Sequence, residues 1–525
     1  AQRVIVAFLD ESNRPARRFG IPQGADALIQ ALAALPNDLD IGVFTSPYAL
    51  QYLTPPEQAG WLIAFHEDDL TQEAAAAAWV QEGDALGRLP VDVAPWAAGM
   101  GHPTRAARLP HAAASNPELN RRLDSLAAEA IDMAATPGLR MLVVAGDSIR
   151  YDGAHGTLGH EDGQPVTRES IYDVASITKV AASTLLAMMS VERGMLDLDA
   201  PLRKVLPKRP DSPLNEELGN RTFRDILAHR AGLPAWIPFY LDAMAHDDTT
   251  GSALSSRDTL DWVPVHTSCW MAPAWRDTIH HRIRTLTPDP VGRYRYSDLG
   301  YYLLQSTLED LWDQPLDILA DSLIYQPLGL RHIGYTPANW AQPQRIAPTE
   351  NDTLFRKGWI CGTVHDPGAA MLGGVAGHAG LFSDAHDLAV ILETLRRGGE
   401  WNGVRLVQPS TVADFTSRAF PEEDNRRALG WDKPGLEEDS GASGNAGTWS
   451  SFGHSGFTGT LAWTDPEGEW TVVFLSNRIC PDAENRTLIR EDIRTKALFI
   501  VEEELGLPHR FDPPAPEDPG SFNPR

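Results

Sequence analysis

Two hairpin patterns stand at opposite ends of one long stretch of this chain, and they limit how it can fold. LRMLVVA (139–145) meets SIRYD (148–152) at Gly146-Asp147, and HSGFTGTLAWTD (454–465) meets EWTVVFLSNR (469–478) across Pro466-Glu467-Gly468. Each is a run of aliphatic, β-branched and aromatic residues closed by turn formers. The two ends are expected to share one antiparallel sheet, with the helical middle packed beside it. Asn116 can cap a helix with Pro117 at its first position and Glu118 in its first turn, running to about Ala134 before Pro137-Gly138. A terminal helix is expected over 488–504.

The first hundred residues follow a different rule. Short apolar runs at 4–9, 40–45 and 61–66 alternate with the helical patterns ADALIQALAAL and TQEAAAAAWVQEG, which implies a parallel α/β layer. After GRLPV (87–91) the pattern dissolves into a stretch rich in Pro, Gly and Arg. The expected domains are therefore 1–104, a parallel α/β fragment, and 105–525. The Gly/Ser/Asn patch 441–447 and the Pro-rich last fifteen residues read as loop and tail.

Charge narrows the partners. Forty-five basic against 71 acidic side chains give −26, which disfavours any phosphate backbone. The three cysteines, Cys269, Cys361 and Cys480, are far apart and outside any Cys-x-x-Cys spacing, so neither a disulfide framework nor a zinc knuckle is indicated. No apolar run reaches the roughly 18 residues of a membrane span. The chain does not start with Met, so it is expected to be a processed product or part of something longer, and its compartment is not legible directly.

The chemistry concentrates at Ser176-Ile-Thr-Lys179, the one place where the 27 serines and six lysines meet at that spacing. Serine and lysine at i, i+3 share a helix face, so the amine can reach the hydroxyl, and an almost wholly apolar helix (VAASTLLAMMSVERG) follows and buries them. A lysine acting as base must be neutral, so its pKa is expected to fall from about 10.4. Tyr296-Ser297-Asp298 lies between a Pro290/Gly292 turn and the helix LGYYLLQSTLEDL, which lets the phenol face a cleft; Tyr240-Leu241-Asp242 is the competing pattern. His454-Ser455-Gly456 opens a strand where Gly456 admits a substrate to the backbone and the Phe457 N–H can aim at an oxyanion. His378-Ala379-Gly380 has the same spelling but reads as a loop former.

In that order, YDVASITKV, LAHRAGLP, YRYSDLGYYLL, GGVAGHAGLFS and FGHSGFTGT resemble the serine β-lactamase and penicillin-binding family, closest to its class C and esterase branch, over about 105–525. The resemblance implies a five-stranded antiparallel sheet flanked by helices, a helical subdomain, and an active site between them. It makes Ser176 the acylated nucleophile, Lys179 its base, Tyr296 the proton relay, and the N–H groups of Ser176 and Phe457 the oxyanion hole, with His454 the fourth catalytic residue and Asp298, Ser455, Gly456 and Phe457 binding the substrate. Two positions depart from the β-lactamase pattern: the third motif usually begins with lysine and here begins with His454, as in some D-peptidases, and the second usually ends in asparagine and here ends in Asp298. Residues 1–104, with TSPYALQYL, LTQEAAAAAWV and GRLPV, resemble the closing part of the C-terminal domain of glycoside hydrolase family 3. The barrel carrying that family's catalytic carboxylate is absent, so no glycosidase activity is expected here, although a glycosidase domain outside this chain would be a natural partner and would suit a periplasmic or extracellular role near peptidoglycan.

No cofactor is expected. His66-Glu67-Asp68-Asp69 and His280-His281 suggest a metal only weakly, because adjacent side chains on a strand point to opposite faces. The absence of a G-x-S-x-G elbow argues against an α/β-hydrolase. The insert 235–290 carries Trp236, Trp262, Trp270 and Trp275, as a lid or a buried wall. The expected function is a serine hydrolase working through an acyl-enzyme on a small-molecule or peptide acyl substrate, first of all peptidoglycan-type peptides with D-residues. The alternatives are a carboxylesterase, a weak β-lactamase, or a non-catalytic peptidoglycan-binding module.

Overall fold

The computed structural model describes residues 2–9, 14–35, 37–56, 59–65, 68–79, 89–98, 100, 109–159, 163–209, 211–437, 441–444 and 446–507. The chain falls into two compact units, Ala1–Pro110 and His111–Arg525. In the first, β1 (Gln2–Leu9), β2 (Asn37–Phe44) and β3 (Gly60–Ala64) form a parallel sheet in that order. Helices α1 (Ala25–Ala33) and α2 (Asp69–Trp79) connect or follow these strands, and Ile29, Ile41, Val43 and Leu50 close the core. The alternation of strand and helix read from the sequence is thus a parallel layer. His66 and Glu67 lie outside the described residues, as do residues 80–83 of the second helical pattern and 101–108 of the expected linker.

The second unit is built on a five-stranded antiparallel sheet. Helix α3 (Pro117–Asp132) leads in, and the Asn116 side chain accepts from the Leu119 N–H at 3.1 Å, as an N-cap should. Strands β4 (Gly138–Ala145) and β5 (Ser148–Gly156) come from the first hairpin; β6 (Phe452–Ser455), β7 (Leu461–Asp465) and β8 (Trp470–Ser476) come from the far end. Their order is β6-β7-β8-β4-β5, and the register from Trp470↔Ala145 to Ser476↔Leu139 joins the two hairpins. Every residue of β4 and β8 is buried, so both faces of the sheet are covered. One face packs Met141, Trp463 and Phe474 against Leu119 and Leu123 of α3 and Leu498 and Val501 near the C-terminus. On the other face the fully buried Glu393 accepts from Thr471 Oγ1 at 2.6 Å; it belongs to α6 (Ala385–Arg396), while α4 (Leu185–Glu192) and α5 (Leu299–Trp312) are the helices that frame the site.

Two expected elements are broken. The run 454–465 is not one strand: β6 ends at Ser455, the Gly456 N–H donates to the Thr460 carbonyl at 2.8 Å, and a tight turn with Gly459 at φ +105° precedes β7. The run 488–504 is interrupted at Asp492, with φ +52°, and the long piece is α7 (Ile493–Leu505). The tryptophan-rich insert forms helices Phe239–Thr250 and Ala274–Thr285 around a small sheet of Leu254–Ser255, Cys269–Met271 and Val263–His266. Among the described residues no helix is long and apolar enough to cross a membrane.

Candidate active site

Ser176 sits in a 3-10 turn, Ala175–Ile177, rather than in the first turn of an α-helix. The turn is forced: Ala175 adopts φ +48°, a region costly for any residue with a Cβ. Asp173 supports it, its carboxylate accepting from the Ala175 N–H at 2.8 Å and its carbonyl from Thr458 Oγ1 at 2.8 Å. Lys179 then starts a π-helical segment, Lys179–Thr184, that runs into α4. Such wide turns inside helices recur at functional sites. All six residues of that segment are buried, the Lys179 side chain included.

The amine is the hub. Lys179 Nζ donates to Ser176 Oγ at 2.9 Å and to the His378 carbonyl at 3.2 Å, and lies 2.7 Å from Asp298 Oδ1. The Tyr296 ring centroid lies 5.0 Å from the Lys179 amine, and both Lys179 and Ser176 act on its ionisation. The lysine side chain is fully buried while that of Asp298 is 23% exposed; Ser176 and Tyr296 are also partly exposed, so the cluster opens to solvent along one side. The expected lowering of the Lys179 pKa is reversed here. Burial does press it down, but the Asp298 carboxylate and Tyr296 outweigh burial, and the net direction is upward. At rest Lys179 is an ammonium. Burial raises the Tyr296 pKa, the Lys179 charge pulls it down and Asp298 pushes it up, leaving it above the usual phenol value.

His454, at the start of the third motif, is 2% exposed. Burial, then the charges of Arg427 and Lys179, push its pKa down to about 3, so it is neutral. Its Nδ1 stands 2.8 Å from the Ser455 carbonyl, which places the proton on Nδ1 and leaves Nε2 an acceptor; the imidazole centroid lies 6.0 Å from that of the Tyr296 ring. A titration of the histidine ring signals by NMR should therefore show no midpoint for His454 between pH 5 and 8; a midpoint in that window contradicts this electrostatic picture. Gly456 is required as glycine, since a Cβ there would collide with the Val174 carbonyl and Thr460 Oγ1. This close approach brings the 456–457 backbone against the turn that carries Ser176. Phe457 projects outward, 53% exposed, stacked on His365 with centroids 5.4 Å apart.

Several members of the site have no sequence signal of their own. His229, from LAHRAGLP, accepts the Ser297 N–H on Nδ1 at 3.1 Å and lies 4.5 Å from the Tyr296 ring, bracing the loop that carries the phenol. Arg427 lies 5.3 Å from the same ring and 3.5 Å from Asp432; the nearby positive charge therefore comes from the 426–432 segment rather than from the first residue of the third motif. The Asp298 N–H donates to the Ala235 carbonyl at 2.9 Å, and the next residue, Trp236, is 58% exposed. The LAHRAGLP fragment could have flagged His229, but nothing could have flagged Arg427. Tyr240, the competing tyrosine, packs instead on Phe355 at 5.5 Å. His378 stacks on Tyr302 and pairs with Asp366 at 2.9 Å, so it shapes its loop and offers the site only its carbonyl. Among the described residues no group of three or more His, Cys, Asp or Glu could hold a metal.

Comparison with known proteins follows the geometry. Residues 123–494 match the family model described as Beta-lactamase. A protein of Escherichia coli (strain K12) named "Putative D-alanyl-D-alanine carboxypeptidase" is 32% identical over 399 residues, spanning 72% of this chain and 86% of its own. Two solved structures share the fold. A penicillin-binding protein homologue from Caulobacter crescentus has 16% identity and TM-score 0.53, covering 75% of this chain and 99% of its own. EstCE1, a hydrolase with promiscuous acyltransferase activity, has 23% identity and TM-score 0.50, covering 72% and 99%.

Proposed function

The chain belongs to the Beta-lactamase family of serine hydrolases, and from that premise we propose that it is an acyl-enzyme hydrolase of D-alanyl-D-alanine-type peptides, with Ser176 as nucleophile. The observation that carries the chemistry is one contact set: Lys179 Nζ 2.9 Å from Ser176 Oγ and 2.7 Å from Asp298 Oδ1, with the Tyr296 ring centroid 5.0 Å from the same amine. The substrate class rests on the E. coli relative and on the exposed aromatics Trp236 and Phe457, which offer walls to a peptide.

In this reading Lys179 stays an ammonium, held by Asp298, and Tyr296 moves the proton. Tyr296 loses its own proton to solvent on its exposed side. Its oxygen then accepts from the Lys179 ammonium and from the Ser176 hydroxyl. As Ser176 Oγ bonds to the carbonyl carbon, the serine proton passes to Tyr296, and the oxyanion is met by the Ser176 and Phe457 N–H groups. Tyr296 returns that proton to the leaving amine or alcohol, and in the second half takes one from the attacking water and hands it to Ser176 Oγ as the acyl group leaves.

A signed pH effect follows. The Asp298 carboxylate raises both the Tyr296 and the Lys179 pKa, so Asp298→Asn should move the ascending limb of log(kcat/KM) against pH to lower pH. An unmoved or alkaline-shifted limb contradicts the role given to Asp298. The substrate class is tested by a panel of a D-Ala-D-Ala peptide, a short-chain p-nitrophenyl ester and a penicillin. Release of D-alanine with the highest kcat/KM is expected; preference for the ester with no D-alanine release would make the protein a carboxylesterase, and no turnover of any of the three would leave only a binding module.

A further inference from the structure

The sequence offers no reason to pair any cysteines, yet two of the three line one cavity. Cys361 and Cys480 both line a cavity of about 300 Å³ walled by Leu158, Ile346, Pro348 and Trp359. Cys361 is exposed and its Sγ donates to the Ile346 carbonyl at 3.6 Å; Cys480 is buried. The segments bearing them are laced through residues 348–351. The Thr349 N–H donates to the Ile360 carbonyl at 2.8 Å and the Asn351 N–H to the Pro481 carbonyl at 2.9 Å. Asn477 Nδ2 adds bonds to the Pro348 carbonyl at 2.7 Å and the Leu158 carbonyl at 2.6 Å. Cys269 stands apart in the small sheet of the insert, and burial pushes its thiol pKa up to about 11, which keeps it unreactive.

We propose that Cys361 and Cys480 are a redox pair that closes a disulfide across this cavity. A two-electron oxidant takes up two electrons and the two thiol protons, and a single Sγ–Sγ bond forms. The bond ties two segments that both brace the edge of the active site. On one side the Arg478 N–H donates to the Thr458 carbonyl at 3.0 Å. On the other, Glu350 holds His365 at 3.0 Å, and His365 stacks beneath Phe457. Oxidation therefore stiffens the rim on which a substrate would rest, and it closes a long loop of chain, the case in which a cross-link restrains the unfolded state most.

The test treats the intact native protein with diamide, which is reduced to its hydrazine, then unfolds it in guanidinium and labels it with iodoacetamide. Intact mass should fall from three labels before oxidation to one after it, and a non-reducing peptide map should link the Cys361 and Cys480 peptides. Cys361→Ser and Cys480→Ser should each abolish the loss of labels. Three labels after diamide, or a bridge that uses Cys269 or joins two chains, overturns the proposal. Oxidised wild type should also melt roughly 5 °C higher than reduced, reversibly with dithiothreitol; an unchanged or lower melting temperature overturns the bracing role.

Discussion

Replacing Ser176 by alanine should lower kcat/KM on the best substrate at least about 10⁴-fold, with no loss of fold. The size follows from what remains. Lys179, Tyr296 and the backbone donors would still surround the carbonyl, but nothing would be left for them to activate, and water would have to enter a space shaped for a hydroxyl. Ser176 itself makes few structural contacts: it is partly exposed, and the turn around it is held by Asp173, Thr458 and Ala175. Thermal melting should therefore barely move, and a variant that retains more than about one part in 10² of activity would mean that another group carries the acyl chain.

Lys179→Ala should be the second largest effect, a loss of about 10³-fold in kcat/KM together with a loss of stability of about 3 kcal/mol. Both consequences have one cause. The ammonium donates to Ser176 and pairs with Asp298 beside Tyr296, so without it the phenolate form of Tyr296 faces the Asp298 carboxylate with only Arg427, 5.3 Å from its ring, to offset it. The side chain is also fully buried, so its removal leaves a cavity and half an ion pair. Lys179→Arg separates the two effects: the charge persists and stability should be largely restored, but the planar guanidinium cannot place one donor on the serine, the tyrosine and the carboxylate at once, and activity should stay low. Denaturant unfolding and steady-state kinetics on the two variants check this; equal activity in Lys179→Arg and wild type would show that only the charge matters.

How much of this was legible beforehand depends on distance along the chain. Local patterns spoke clearly: Asn116 as a cap, the hairpin at Gly146-Asp147, and the serine and lysine one turn apart. The pairing of β8 with β4 is legible because two apolar hairpins without partners imply each other. What the sequence could not show was how groups brought in from elsewhere tune those residues. Asp298 was recognised as a departure beside the lysine, but only the 2.7 Å separation shows that it wins over burial and reverses the direction of the Lys179 pKa. Arg427 and His229 act on Tyr296 from segments that no spacing connects to it, and Cys361 and Cys480 line one cavity across 118 intervening residues for the same reason. The tight turn after β6 was hidden by its apolar flanks, which continue the strand pattern through Phe457 and Leu461.

The central claim is that Ser176 becomes covalently acylated. It is tested most directly by incubating the protein with a fluorophosphonate, measuring intact mass and mapping the modified peptide. The account predicts one adduct per chain, located on Ser176 and absent from Ser176→Ala. No adduct on the wild type, or the same adduct on the alanine variant, would contradict it.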